Sequence, residues 1–314
     1  MELIKANINI DFIGRRKLAL LFSALLIFAG IVSLVVKGGP LYGIDFAGGT
    51  VVQVKFTQPT KAADIKAALK AGDLGKAQIQ QFGDEATEFL IRMDRSSEAL
   101  EGLSKDVQQN LVQVYGDGQV EIRRVEMVGP QVGKDLRVKG IEALLWAMLA
   151  ILAYITLRFE FRFAIGAIVA LVHDVAITLG AFSLFGKEID LPIIAAFLAI
   201  IGYSLNDTII VYDRIRENMA RYNTESFPVI VNRSINETLS RTILTSFTTL
   251  IALLSLYIFG GEVIRGFTFA MIWGIVVGTY SSICIASPLL LRFGVKREWS
   301  EEASKETGEV AKAN

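Results

Sequence analysis

Along this chain the hydrophobic positions fall into six long runs, and between the first two lies a stretch patterned quite differently. A helix needs roughly 20 apolar residues to cross the ~30 Å hydrocarbon core of a bilayer. The runs at residues 18–36, 141–157, 164–185, 191–212, 238–259 and 266–291 meet that need, and each is expected to be a membrane-spanning helix. The second is short, and the last is long enough to tilt or to extend past the bilayer. A basic start followed by an apolar run also describes a signal peptide. The first run is too long for one and no small-x-small cleavage site follows it, so it reads as an anchor.

Between residues 37 and 138 the period shortens. Strand-like 50–56 is followed by helical 61–70, strand candidates at 78–82 and 87–93, helical 98–115 and strand-like 119–128. That order, βαββαβ, predicts a ferredoxin-like sandwich. Gly116 and Gly118 flank Asp117 as the turn before the last strand. The insert holds no histidine and no cysteine, and its acidic residues are scattered as on a solvated surface, so an interaction domain is expected rather than an enzyme. The fold class is therefore a polytopic α-helical membrane protein with six transmembrane helices and an α+β ferredoxin-like extracytoplasmic domain between helices 1 and 2. The divisions are an N-terminal segment (1–17), the first helix (18–36), the domain (37–138), the bundle of helices 2–6 (139–291) and a tail (292–314).

Charge adds an orientation. The 32 basic and 32 acidic residues cancel, which leaves no electrostatic footprint for nucleic acid and makes the position of each base the informative quantity. Short flanks rich in Lys and Arg resist translocation. Lys5, Arg15, Arg16 and Lys17, then Arg158 and Arg162, then Arg214, Arg216, Arg221 and Arg233, then Arg292, Lys296 and Arg297 fall on one side; the opposite short loops offer only Lys187 and Arg265. Both termini are expected in the cytoplasm, and the insert on the extracytoplasmic side.

The single cysteine, Cys284, can form no internal disulfide and belongs to no Cys-based metal pattern. The dipeptides Gly75-Lys76, Gly133-Lys134 and Gly186-Lys187 lack the upstream glycine and the downstream Ser/Thr of a phosphate-binding loop. No nucleotide site, cofactor or metal is expected. Any work must then draw on the transmembrane gradient, worth ~2.3 kcal/mol per charge per 100 mV.

Each ionisable side chain within a span costs about 2.5–3.5 kcal/mol on insertion scales and so asks for a reason. Asp207 lies near the inner end of the fourth run and Arg241 one turn into the fifth; since these helices run in opposite directions, the two sit at similar depth and could face each other. Asn206 and Thr208 adjoin Asp207, and Ser204 precedes it by one turn. Thr245, Thr248, Thr249 and Ser255 continue the face begun by Arg241. Such a stripe could line a hydrated path in which the acid alternates between Arg241 and a proton, or it could be packing glue; the threonines alone favour glue. Asp207, Arg241, Asn206, Thr208 and Thr245 are thus the candidate ion path. His173 and Asp174 adjoin each other in the third run, ~100° apart around a helix, and suit a relay or a structural role equally. Asp213, Arg214 and Arg216 at the membrane boundary read as a solvated cluster. Gly274 and Gly278 form a close-packing GxxxG.

The motifs carry a resemblance. Gly43-Ile44-Asp45-Phe46-Ala47-Gly48-Gly49-Thr50, the His173-Asp174 pair, the run from Gly202 through Asn218 (GYSLNDTIIVYDRIREN) and Ser240-Arg241-Thr242-Ile243-Leu244-Thr245-Ser246 together resemble the SecD/SecF protein-export family of the resistance-nodulation-division superfamily, over nearly the whole chain. The resemblance implies an accessory of the Sec machinery that pairs with a SecD half beside the SecYEG channel. It also implies use of the proton gradient, or sodium in some relatives, to favour late export of preprotein, with YajC and YidC as further candidate partners. In that family the positions matching Asp207 and Arg241 are taken as part of the ion path. Two rival readings are a small-molecule or lipid exporter half, which asks for a larger outer portion than ~100 residues, and a scaffold in which the charged pair only fixes packing.

Overall fold

The computed structural model describes residues 8–70, 74, 77–83, 85–93 and 100–293. In chain order its elements are α1 (Arg16–Val36), α2 (Ile44–Ala47), β1 (Gly49–Phe56), α3 (Ala62–Lys70), β2 (Gln78–Phe82), β3 (Glu88–Met93), α4 (Leu100–Tyr115), β4 (Val120–Val128), α5 (Pro130–Arg158), α6 (Phe161–Leu184), α7 (Leu191–Arg221), α8 (Phe227–Phe259) and α9 (Glu262–Ser281). α9 continues through one π-helical turn (Ser282–Ala286) into α10 (Ser287–Phe293). Among the described residues six helices are long and apolar enough to span a membrane, the last formed by α9 and α10 together. Lys5, Lys76, Lys296, Arg297, the tail beyond 293 and the expected helix start at 98 lie outside the described residues.

Three spans outrun their apolar stretches. α5 starts at Pro130 rather than 141, α7 continues to Arg221 rather than ending at 212, and α8 starts at Phe227 rather than 238. Hydropathy registers only the immersed part of a helix, whereas a proline in the first turn of α5 and of α8 marks the true start.

The insert folds into a four-stranded sheet in the order β2-β3-β1-β4, every neighbouring pair antiparallel. This is the split arrangement that βαββαβ order predicts. β3 alternates buried and half-buried positions, and its inward residues Phe89 and Ile91 meet Val52, Val54 and Phe56 of β1, Ile65 and Leu69 of α3, and Val107 and Leu111 of α4. These residues form a core of their own, separate from the two clusters inside the bundle.

In the bundle α6, α7 and the last helix are half to two-thirds buried, whereas α1, α5 and α8 are largely exposed, so the first three form the centre. Small residues set the spacing. A Cβ on Gly30 of α1 would lie 2.8 Å from the Cα of Gly180 in α6, and Gly274 and Gly278 of α9 lie against Ile200 and Ser204 of α7, as GxxxG predicts.

Sheet domain and bundle meet at a narrow junction. Gly43 N–H donates to the Ile189 carbonyl and Ile189 N–H to that of Leu41, both at 2.8 Å, which splices the linker after α1 to the α6–α7 loop. There Asp190 caps α7. Burial, with Asp45 and Glu188 close by, pushes its carboxyl up from 3.8 to about 6 although Ile193 N–H bonds to it. An acid raised in this way stabilises the fold fully below the unfolded value of about 4, and the contribution is lost as the pH rises through about 6. Wild type should therefore lose melting temperature relative to Asp190→Asn between pH 4 and pH 7; parallel melting profiles would contradict this.

Candidate functional site

Two carboxyl groups lie wholly buried in the centre of the bundle, in opposite circumstances. Asp174 of α6 is saturated. Its Oδ2 accepts from Ser204 of α7 at 2.6 Å and from Ser281 of α9 at 2.8 Å, and its Oδ1 meets His173 Nδ1 at 2.8 Å. His173 Nε2 lies 3.0 Å from Ser23 of α1, whose hydroxyl reaches the Tyr280 hydroxyl at 3.1 Å; Tyr280 donates in turn to the Ala19 carbonyl. The ~100° between neighbouring positions sends Asp174 toward α7 and α9 and His173 toward α1, so the dyad ties four helices through one chain of bonds. The bond between the two adjacent side chains, and the partners Ser23, Tyr280 and Ser281, were not read from the sequence, because they come from helices far apart in the chain.

Asp207 of α7 is the opposite case: it is completely buried, and neither carboxyl oxygen has a hydrogen-bond partner. Ser246 of α8 and Arg241 are polar neighbours of its carboxyl. The Ser246 hydroxyl is engaged by Thr279 at 2.7 Å, and no ion pair joins Asp207 to Arg241. Arg241 lies on the exposed face of α8. Depth is set by position along the helix; facing is set by which neighbours cover it.

The polar stripe of α8 needs the same correction. Its buried face carries Ser234, Thr238, Thr242 and Ser246, one turn apart, and the Thr242 hydroxyl is buried without a partner. The i, i+4 spacing of these four was a signal available in the sequence. Thr245, Thr248 and Ser255 lie on the exposed or half-buried side and donate back to their own helix, to Arg241, Leu244 and Ile251 carbonyls at 3.0–3.1 Å. Of this stripe only Thr249 reaches another helix of this chain, through the Tyr203 hydroxyl at 3.3 Å. Thr208 is buried and donates to the Ser204 carbonyl at 3.2 Å, while Asn206 points outward from the bundle. The exposed face of α7 is otherwise small: Ala195, Ala199 and Gly202 lead to Asn206 at helical spacing. Asp213 pairs with Arg158 at 3.3 Å, both about half exposed, and Arg214 with Glu217 at 2.9 Å, which fits the solvated cluster expected there.

α7 and α9 can approach only because Gly278 lacks a side chain. A Cβ there would sit 2.9 Å from Ser204 Cβ and 3.1 Å from its hydroxyl, the group that donates to Asp174. Gly278→Val should therefore cost about 1–3 kcal/mol of overpacking and lower the melting temperature in detergent; a variant as stable as wild type would contradict this seam.

A six-span bundle with one saturated and one unpartnered buried acid, topped by a split βαββαβ domain, defines a multi-pass membrane protein. A family model described as protein export membrane protein SecD/SecF, C-terminal, matches residues 107–296, and one for the SecD/SecF GG motif matches residues 32–60. Protein translocase subunit SecF of Calditerrivibrio nitroreducens is 49% identical over 293 residues, covering 92% of this chain and 96% of the relative. That of Magnetococcus marinus is 46% identical over 312 residues, covering 98% and 100%. The crystal structure of SecDF, a translocon-associated membrane protein from Thermus thermophilus, superposes with a TM-score of 0.83 at 36% identity, covering 93% of this chain and 39% of that one. SecDF in a super-membrane-facing form gives a TM-score of 0.66 at the same identity. The chain belongs to the SecD/SecF protein-export family, and spans about two-fifths of SecDF.

Proposed function

We propose that this chain is one half of an ion-driven accessory of the Sec translocon, and that Asp207 is the group that takes up and releases the ion. The observation that carries the reading is the carboxyl of Asp207, fully buried with both oxygens unpartnered. An unpaired charge in such surroundings costs several kcal/mol unless something mobile accompanies it. Ser246 and Thr242, the latter with an unpartnered hydroxyl, lie on the buried face of α8, a helix that packs against α7, and offer polar stops there.

Partner geometry follows from the same economy of polar groups. Arg241, Thr245 and Thr248 on α8 and the small face Ala195–Ala199–Gly202–Asn206 on α7 lie on the outside of the bundle, where lipid is a poor neighbour for a guanidinium. A SecD half packed on these two faces would bury them and bring Arg241, Asn206 and Thr245 into the compartment that Asp207 adjoins. Small residues permit that close approach. Relatives named as translocase subunits and a SecDF structure that continues beyond this chain's share support the pairing. YajC, YidC and the preprotein remain candidate partners on the family resemblance.

We place the termini in the cytoplasm of a bacterial-type inner membrane, with the sheet domain outside. Arg158, Arg214, Arg216, Arg221 and Arg233 all fall at the bundle end opposite that domain. The reading is tested in vesicles holding this chain, its SecD partner and SecYEG. Imposing a proton or sodium gradient should raise completed export severalfold, and collapsing it with an ionophore should remove the gain; equal export with and without both gradients would overturn the reading.

A further inference from the structure

α7 begins beside the sheet domain and carries Asp207 at its middle, as one uninterrupted α-helix. At 1.5 Å per residue the two points are separated by roughly 25 Å of rigid rod. What happens at its first turn is unusual. The opening N–H groups of a helix have no partner within it. In α7 one of them, on Ile193, is taken by the helix's own cap, Asp190, at 3.3 Å, and another, on Leu191, is taken at 2.9 Å by Asp45, which belongs to α2 and lies far earlier in the chain.

The same spot is fastened twice more. The residue before Asp190 is spliced to the linker by the Gly43 and Ile189 hydrogen bonds, and the contact is tight, since a Cβ on Gly43 would lie 3.1 Å from Asp190 Cβ. Arg92 of β3 forms an ion pair with Glu188 and donates to the Tyr42 carbonyl at 3.3 Å. The pair is mostly buried, at 15% and 19% exposed, so it escapes most of the screening that weakens surface pairs. Phe46 of α2 is buried in the same apolar cluster as Ile193 and Phe197 of α7. Arg92 stands in a sheet whose core is independent of the bundle.

We propose that the first turn of α7 is the transmission point of this machine: movement of α7 caused by ion uptake at Asp207 is passed to the sheet domain through Asp45 and through the Arg92–Glu188 pair. Arg92 and Glu188 are positioning residues, remote from the ion and needed for the output. The proposal rests on the reading of Asp207 given above.

The test separates ion flow from export in the reconstituted complex of chain, SecD partner and SecYEG. Arg92→Gln and Glu188→Gln should keep gradient-driven ion flux within about twofold of wild type while losing most, tenfold or more, of the gradient-dependent gain in export. Arg92→Lys and the charge swap Arg92→Glu with Glu188→Arg should restore that gain, which a merely damaged fold would not permit. Single variants that export like wild type, flux that falls in step with export, or a swap as defective as the single changes would each overturn the coupling. A wild-type complex with neither flux nor a gradient-dependent gain would overturn the reading of Asp207, and the coupling with it.

Discussion

Asp207→Asn should fold, insert and assemble with its partner as wild type does, yet export no better with a gradient than without one. Asn matches Asp in shape, and the carboxyl it replaces makes no hydrogen bond that the change could break. The substitution also removes a group whose insertion as a charge costs about 2.5–3.5 kcal/mol, so stability should hold or rise. Export assayed with the gradient on should fall to the level seen with ionophore, and melting temperature in detergent should be unchanged or higher. Full gradient-dependent export by this variant would contradict the role given to Asp207, and a large loss of stability would show that the acid is structural instead.

The second large effect is of the reverse kind. Asp174→Ala strips the acceptor from Ser204, Ser281 and His173 at once, in the middle of the bundle. Hydrogen bonds between membrane helices average only ~0.6 kcal/mol by double-mutant cycles, so the two to Ser204 and Ser281 put the loss at roughly 1 kcal/mol, and the bond to His173 within α6 adds to it. The cavity left by the carboxyl adds to it. Melting temperature should drop by several degrees, with Asp174→Asn intermediate because one acceptor oxygen survives. Ala as stable as wild type would mean that the four helices are held by apolar packing alone.

This contrast explains what was legible beforehand. The six spans could be read because burying a backbone in lipid requires long apolar helices, and the order of the sheet domain because its periods alternate clearly. Gly278 was legible because a close approach leaves its mark as missing side chains. The ends of α5, α7 and α8 were not, since polar turns beyond the bilayer carry no hydropathy signal. At the candidate site Asp207, Ser204 and Thr208 stand buried in the bundle, whereas Arg241 stands on the exposed side of α8. Rotation about a helix axis depends on which neighbours pack against it, information that resides in α7 and α9 rather than in α8. Thr242 and Ser246 share the i, i+4 spacing of the neighbouring stripe, and only packing decides which of the two faces is buried. The Asp174 network was invisible because its members, Ser23, Ser204, Tyr280 and Ser281, are gathered from three other helices.

The most direct measurement is infrared difference spectroscopy on the reconstituted complex, wild type against Asp207→Asn, across pH 4–9 with and without an imposed gradient. A carboxyl band present only in wild type, which gains and loses intensity with pH and with the gradient, is the expected result. A band that is missing or constant under every condition would mean that Asp207 never exchanges its ion, and the mechanism would fail with it.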